Sequence, residues 1–130
     1  MQRGPGYRGS GYIVAIVDDD AAMREALARL LRIHGIESRS YPAARAFLAT
    51  LTSNLPNCLI VDIDMPGMDG MALQRELLNR SIRIPTIVIT ASDDENIAAK
   101  VLSVGARALL RKPLAQDALL TAINSVKGEG

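Results

Sequence analysis

Short, almost wholly apolar runs alternate along this chain with longer segments whose apolar residues recur at helical spacing, and that alternation leaves few folds open. Tyr12–Val17 is a continuous apolar run of the kind buried on both faces of a sheet. Met23, Ala26, Leu27, Leu30 and Leu31 follow on one helical face, and Gly35 stands where a helix is expected to end. Ile36–Tyr41 reads as a weaker strand, and Pro42 to about Leu51 as a helix with proline in its first turn. Cys58–Asp62 is a further buried strand, followed by a loop rich in proline and glycine and a helix from about Gly70 to Asn79. Pro85–Thr90 is the fourth strand, and Asp94–Val104 a helix stopped by Gly105. Arg107–Arg111 is the fifth strand, and Ala115–Val126 a last helix with Leu119, Ala122, Ile123 and Val126 on one face.

Five strands in alternation with five helices predict an α/β fold: a parallel sheet, doubly wound, with helices on both faces. Its 130 residues suit one domain, expected over residues 12–126, with 1–11 as a flexible glycine-rich leader and 127–130 as a tail. The leader contains Gly4-x-Gly6-x-x-Gly9, but a dinucleotide fingerprint works only between a strand and a helix, and this one precedes the first strand. With 15 basic and 14 acidic residues the chain has no basic excess of the sort that nucleic-acid binding requires. The single cysteine, Cys58, opens an apolar run and reads as a core residue, not a reactive thiol. Tyr12–Val17 is too short for a membrane span or a signal peptide, so a soluble, cytoplasmic setting is expected.

Sheets of this type bind ligands beyond the carboxyl ends of their strands, which is where chemistry should be sought. Asp18, Asp19 and Asp20 follow the first strand, and Asp62 the third, with Asp64, Met65, Pro66 and Gly67 in the loop beyond it. Thr90 ends the fourth strand, and Arg111-Lys112-Pro113 the fifth. Singly, each has an ordinary explanation: Asp20 and Asp69 as helix caps, Thr90 as a β-branched strand residue, Lys112 as a surface lysine. Jointly they bring carboxylates, a hydroxyl and an ammonium group to one edge.

Unit charges ~4 Å apart repel by about 4 kcal/mol at an effective dielectric of ~20, so converging aspartates call for a cation. Oxygen-only donors, few in number, suit magnesium better than zinc. The loop from Asp62 fails as a calcium-binding EF-hand, because Pro66 and Leu73 occupy ligand positions and a strand precedes it. A carboxylate is itself a nucleophile toward phosphorus and is ionised near neutrality without a base. The one histidine, His34, falls at the end of the first helix, away from this edge.

The stretches Ile16-Val17-Asp18-Asp19-Asp20, Asp62-Ile63-Asp64-Met65-Pro66-Gly67-Met68-Asp69-Gly70, Ile89-Thr90-Ala91 and Arg111-Lys112-Pro113, in this order, resemble the receiver domain of two-component response regulators. The wording around Asp62 and Phe47-Leu48 is similar to FixJ-type regulators. The resemblance implies a flavodoxin-like (βα)5 domain with strand order 2-1-3-4-5, and covers residues 12 to about 126. It implies that Asp62 is the phosphoacceptor, and that Asp18, Asp19, Asp62 and the main-chain carbonyl of Asp64 hold Mg2+. Lys112 would pair with phosphoryl oxygens and Thr90 would bond one of them after transfer, while Asp64 and Ser92 would tune the lifetime of the phosphorylated state. A cis Lys112-Pro113 bond is implied as well.

The partners implied are a sensor histidine kinase or phosphotransfer protein, and a second copy of the domain across the face of the fourth helix, fifth strand and fifth helix. Direct nucleic-acid or membrane binding by this segment is not implied. Two positions depart from the family pattern: Leu109 stands where an aromatic ring usually reports the movement of the threonine, and Leu114 where phenylalanine often follows Lys-Pro. The phosphorylation-induced shift in the Leu109 region is therefore expected to be smaller or differently coupled. Two other readings are a haloacid-dehalogenase-like phosphatase, which also starts from Asp-x-Asp after a strand, and a phosphorylation-independent interaction module. Pro66 in place of a threonine, the nucleophile strand in third place and the absence of a capping insertion disfavour the phosphatase.

Overall fold

The computed structural model describes residues 11–52 and 54–129. Apart from Gly11, the segment expected as a leader, with its Gly4-x-Gly6-x-x-Gly9 pattern, lies outside the described residues. The elements in order are β1 (Ile13–Val17), α1 (Ala21–Ile33), β2 (Glu37–Tyr41), α2 (Ala44–Leu48), β3 (Cys58–Asp62), α3 (Gly70–Asn79), β4 (Thr86–Thr90), α4 (Asn96–Ser103), β5 (Ala108–Arg111) and α5 (Gln116–Glu129). All strand pairs are parallel and the sheet order is β2-β1-β3-β4-β5, as the family resemblance implies.

Strand periodicity sorts the core onto two faces. Val14 and Ile16, Cys58 and Ile60, and Ile87 and Ile89 face Leu27 and Leu31 of α1 and Leu119, Ile123 and Val126 of α5. Ala15 and Val17, Leu59 and Val61, and Val88 face Phe47 of α2, Leu73 and Leu77 of α3, and Val101 of α4. Burying each such valine, leucine or isoleucine fully contributes about 1.5–3 kcal/mol, so the largely apolar central strands anchor the frame. Cys58 is fully buried, and burial pushes its thiol up to about 12, in keeping with a core role. Among the described residues no helix is long and apolar enough to cross a membrane.

Helix ends follow local chemistry. Asp20 Oδ1 accepts from Ala22 N at 2.9 Å and Asp69 Oδ1 from Ala72 N at 2.8 Å, the two caps expected from sequence. Gly35, at φ +75°, lets the chain leave α1 while Ile36 N bonds Leu31 O at 2.8 Å. Strands β1, β2, β4 and β5 each start one residue later than expected, and the bounds of α2, α4 and α5 differ by more. Helix α2 starts at Ala44, because Ala43 offers it no side-chain cap and Pro42 stays outside. Helix α4 starts at Asn96, two residues late, because Asp94 Oδ1 accepts the Asn96 N–H and holds that stretch as a turn. Helix α5 continues to Glu129, so most of the expected tail is helical, and Lys127 Nζ lies 4.9 Å from the Tyr12 ring centroid.

One glycine is required by closeness. A Cβ at Gly70 would come within 2.9 Å of both Asp62 O and Ile63 Cα, main-chain atoms at the end of β3. Gly70→Ala is expected to lower stability by about 1–3 kcal/mol in urea denaturation, because neither contact can rotate away. An alanine variant as stable as the parent would show that the start of α3 yields freely.

Candidate functional site

The register of the sheet builds the site. Val17 pairs with Val61 across β1 and β3, so the next residues, Asp18 and Asp62, leave adjacent strands side by side. Strands lie about 4.8 Å apart, so both carboxyl groups share one small volume. Asp18 is 0% and Asp62 4% exposed, whereas Asp19 is exposed. Ligand oxygens of Asp18, Asp19 and Asp62 all lie within 4.8 Å of one another, a donor set that fits a hard divalent cation.

Lys112 approaches from β5. Its Nζ lies 3.1 Å from Asp62 Oδ2 and 3.5 Å from Asp18 Oδ2, so one ammonium group bridges both carboxylates. Two inter-strand spacings separate β3 from β5, and only a long side chain crosses them. Lys112 N also donates to Thr90 O at 2.7 Å, and the Lys112-Pro113 bond is cis.

Hydrogen bonds fix the remaining atoms. Asp18 Oδ1 accepts from Asp20 N at 2.9 Å, and Asp62 Oδ1 accepts from Asp64 N at 2.9 Å. Each carboxylate thus turns one oxygen toward its own loop and the other toward Lys112. Thr90 is fully buried; its hydroxyl donates to Asp64 Oδ2 at 3.1 Å and accepts from Ser92 N at 3.0 Å. Leu109, half-buried, pairs with Val88 and packs on the α2–α3–α4 face. Leu114 packs on the opposite one.

All the residues expected at this edge converge, except that Leu109 lies in the adjoining core. Three features went unassigned in the sequence. Arg24 Nη1 donates to Asp18 O at 2.7 Å and braces the β1–α1 turn. Gly70 admits the start of α3 against β3. Arg111 donates to the carbonyls of Ser92 and Asp94. Arg24, on the first turn of a helix beside an acidic edge, was the most findable of them.

Burial pushes the Asp18 carboxyl above its usual range and the Asp62 charge adds to this, while the Asp20 N–H and Lys112 oppose it. For Lys112 burial acts downward, but the bond to Asp62 and the charges of both aspartates outweigh it and hold the ammonium group above its usual range. Because the folded state raises the Asp18 value, it binds a proton more tightly than the unfolded chain. The associated stability is complete below the unfolded value near 3.8 and is lost as pH rises through the folded value. In metal-free buffer, Asp18→Asn should therefore melt above the parent at pH 7, with the gap closing as pH falls toward 4. A variant that melts lower at pH 7 would contradict a strained carboxylate.

The family model for the response regulator receiver domain matches residues 14–124. Nodulation protein W of Bradyrhizobium diazoefficiens is 35% identical over 111 residues, 85% of this chain and 49% of that protein. Transcriptional regulatory protein FixJ of Azorhizobium caulinodans is 34% identical over 115 residues, 88% of this chain and 54% of that protein. The chain thus spans about half the length of these relatives. The crystal structure of FixJ-N superposes with a TM-score of 0.82 at 35% identity, covering 88% of this chain and 92% of that one. A response regulator receiver protein from Burkholderia phymatum gives 0.79 at 38% identity, covering 90% and 95%. With these likenesses added to the fold and the acidic edge, the chain belongs to the response regulator receiver domains of two-component systems.

Proposed function

We propose that Asp62 accepts a phosphoryl group from the phosphohistidine of a sensor histidine kinase or a phosphotransfer protein. The observation that carries this reading is the single ammonium group of Lys112 set between Asp62 and Asp18 at the carboxyl edge of the sheet. An Asp62 carboxylate oxygen attacks phosphorus, the phosphorus–nitrogen bond breaks, and the imidazole leaves with the electron pair. A carboxylate is itself a nucleophile toward phosphorus.

Asp18, Asp19, Asp62 and the main-chain carbonyl of Asp64 would hold Mg2+, which when bound neutralises the carboxylates and the transferring oxygens. Lys112 has two carboxylate partners before transfer and would exchange one of them for a phosphoryl oxygen. The Thr90 hydroxyl, now on Asp64, would pass to a phosphoryl oxygen and draw Ser92 with it. The added charge would then bias the α4–β5–α5 face, where Leu102 is 50% exposed, toward a partner or a second copy of the domain. A net charge of +1 supports signalling through protein partners over direct nucleic-acid binding by this segment. A histidine-kinase partner implies a cytoplasmic setting.

Incubation with acetyl phosphate and magnesium should add one phosphoryl group to the intact mass, with none on Asp62→Asn and none without the metal. An adduct of equal yield on the variant would move the acceptor elsewhere. Because Leu109 carries no ring, amide shifts on phosphorylation should concentrate near residues 90–96 and fade before β5. Large shifts through residues 90–115 would show that leucine transmits the switch as an aromatic does.

A further inference from the structure

We propose that Arg111 is a positioning residue that fastens the β4–α4 loop in its resting arrangement and so sets how readily Thr90 is released toward a phosphoryl group; this rests on Asp62 being the phosphoacceptor. Arg111 ends β5 and pairs in register with Thr90, the last residue of β4. Its backbone therefore belongs to the rigid frame, while its exposed side chain turns over the sheet edge onto the loop. One guanidinium nitrogen donates to Ser92 O, and the other to Asp94 O at 3.2 Å. A planar fork with two donors on one side suits two neighbouring carbonyls, and a lysine ammonium cannot bridge them in the same way.

The loop so held has little else to fix it to the frame. Its other hydrogen bonds among the described residues are local: Asp94 N to Ser92 Oγ at 3.1 Å, Asn96 N to Asp94 Oδ1 at 2.9 Å and Ile97 N to Asp94 O at 3.3 Å. Its link to the site is Ser92 N on Thr90 Oγ1, at 3.0 Å. Thr90 Oγ1 is thus coupled at once to Asp64 Oδ2, to the Ser92 N–H of the loop and, through the carbonyl of the same Ser92, to Arg111. When the hydroxyl leaves Asp64 for a phosphoryl oxygen, Ser92 N must follow or let go. The Ser92 carbonyl in the clamp resists the first course. The same loop runs directly into α4, so the clamp also ties the output face to its resting position.

The experiment compares the parent, Arg111→Gln and Arg111→Lys for beryllofluoride affinity in the presence of magnesium, and for amide exchange of residues 92–96 without either. Arg111→Gln should bind beryllofluoride about three- to tenfold more tightly, since the resting state loses two charge-assisted hydrogen bonds at an exposed position. Its amides 92–96 should exchange faster at unchanged melting temperature. Arg111→Lys should behave like Arg111→Gln, because it keeps the charge and loses the fork. Unchanged or weaker affinity in Arg111→Gln overturns the inference, as does full restoration of parental behaviour by lysine. A parent that takes up neither beryllofluoride nor a phosphoryl group from acetyl phosphate overturns the phosphoacceptor reading itself, and the switching role of Arg111 falls with it.

Discussion

The carboxyl edge of this sheet depends on two aspartates that a parallel ladder sets side by side and that packing shields from water. Once Val17 and Val61 pair, Asp18 and Asp62 have nowhere to diverge. Their mutual repulsion is stronger than it would be on an open surface, and burial disfavours the Asp18 charge. The Lys112 ammonium lies between them, yet burial first, and the Asp62 charge after it, still hold the Asp18 carboxyl above its usual range. An edge left short of positive charge in this way attracts a cation or a group that brings one.

What surrounds the pair holds it without quenching it. Main-chain N–H groups of Asp20 and Asp64 each take one carboxylate oxygen, and Arg24 braces the β1–α1 turn through the Asp18 carbonyl, not through its carboxylate. Gly70 lets α3 start against β3 at a distance no side chain would allow, which fixes the loop that carries Asp64. Two buried faces of branched apolar residues keep the strand ends in register behind these loops. The frame is therefore stiff and the loops beyond it are held by a few polar contacts each, a division that allows movement without loss of the fold.

Much of this was legible in the sequence because the central strands are buried on both sides. Cys58–Asp62 and Gly70–Asn79 have the same bounds in sequence and structure, since an unbroken apolar run and an aspartate cap leave little choice. The convergence of Asp18, Asp62, Thr90 and Lys112 follows from strand ends alone once the sheet is parallel. Boundaries that depend on competing local bonds were less legible. The Asp94 side chain delays α4, and nothing in Pro42-Ala43 caps α2. Gly128 does not end α5, because Lys127 and Val126 still find partners in the fold. The bond from Thr90 to Asp64 and the hold of Arg111 on its loop were not legible at all, because both depend on side-chain directions across elements far apart in sequence.

Asp18, Asp19 and Asp62 would form one cation site at the edge where Lys112 meets Asp62. Anomalous diffraction from crystals grown with manganese tests it directly, since that ion substitutes for magnesium at oxygen sites and can be located without assumptions about its ligands. One strong peak is expected among the carboxylates of Asp18, Asp19 and Asp62, lost in Asp18→Asn crystals. A strong peak elsewhere, or none among these carboxylates at millimolar manganese in a folded crystal, would contradict it.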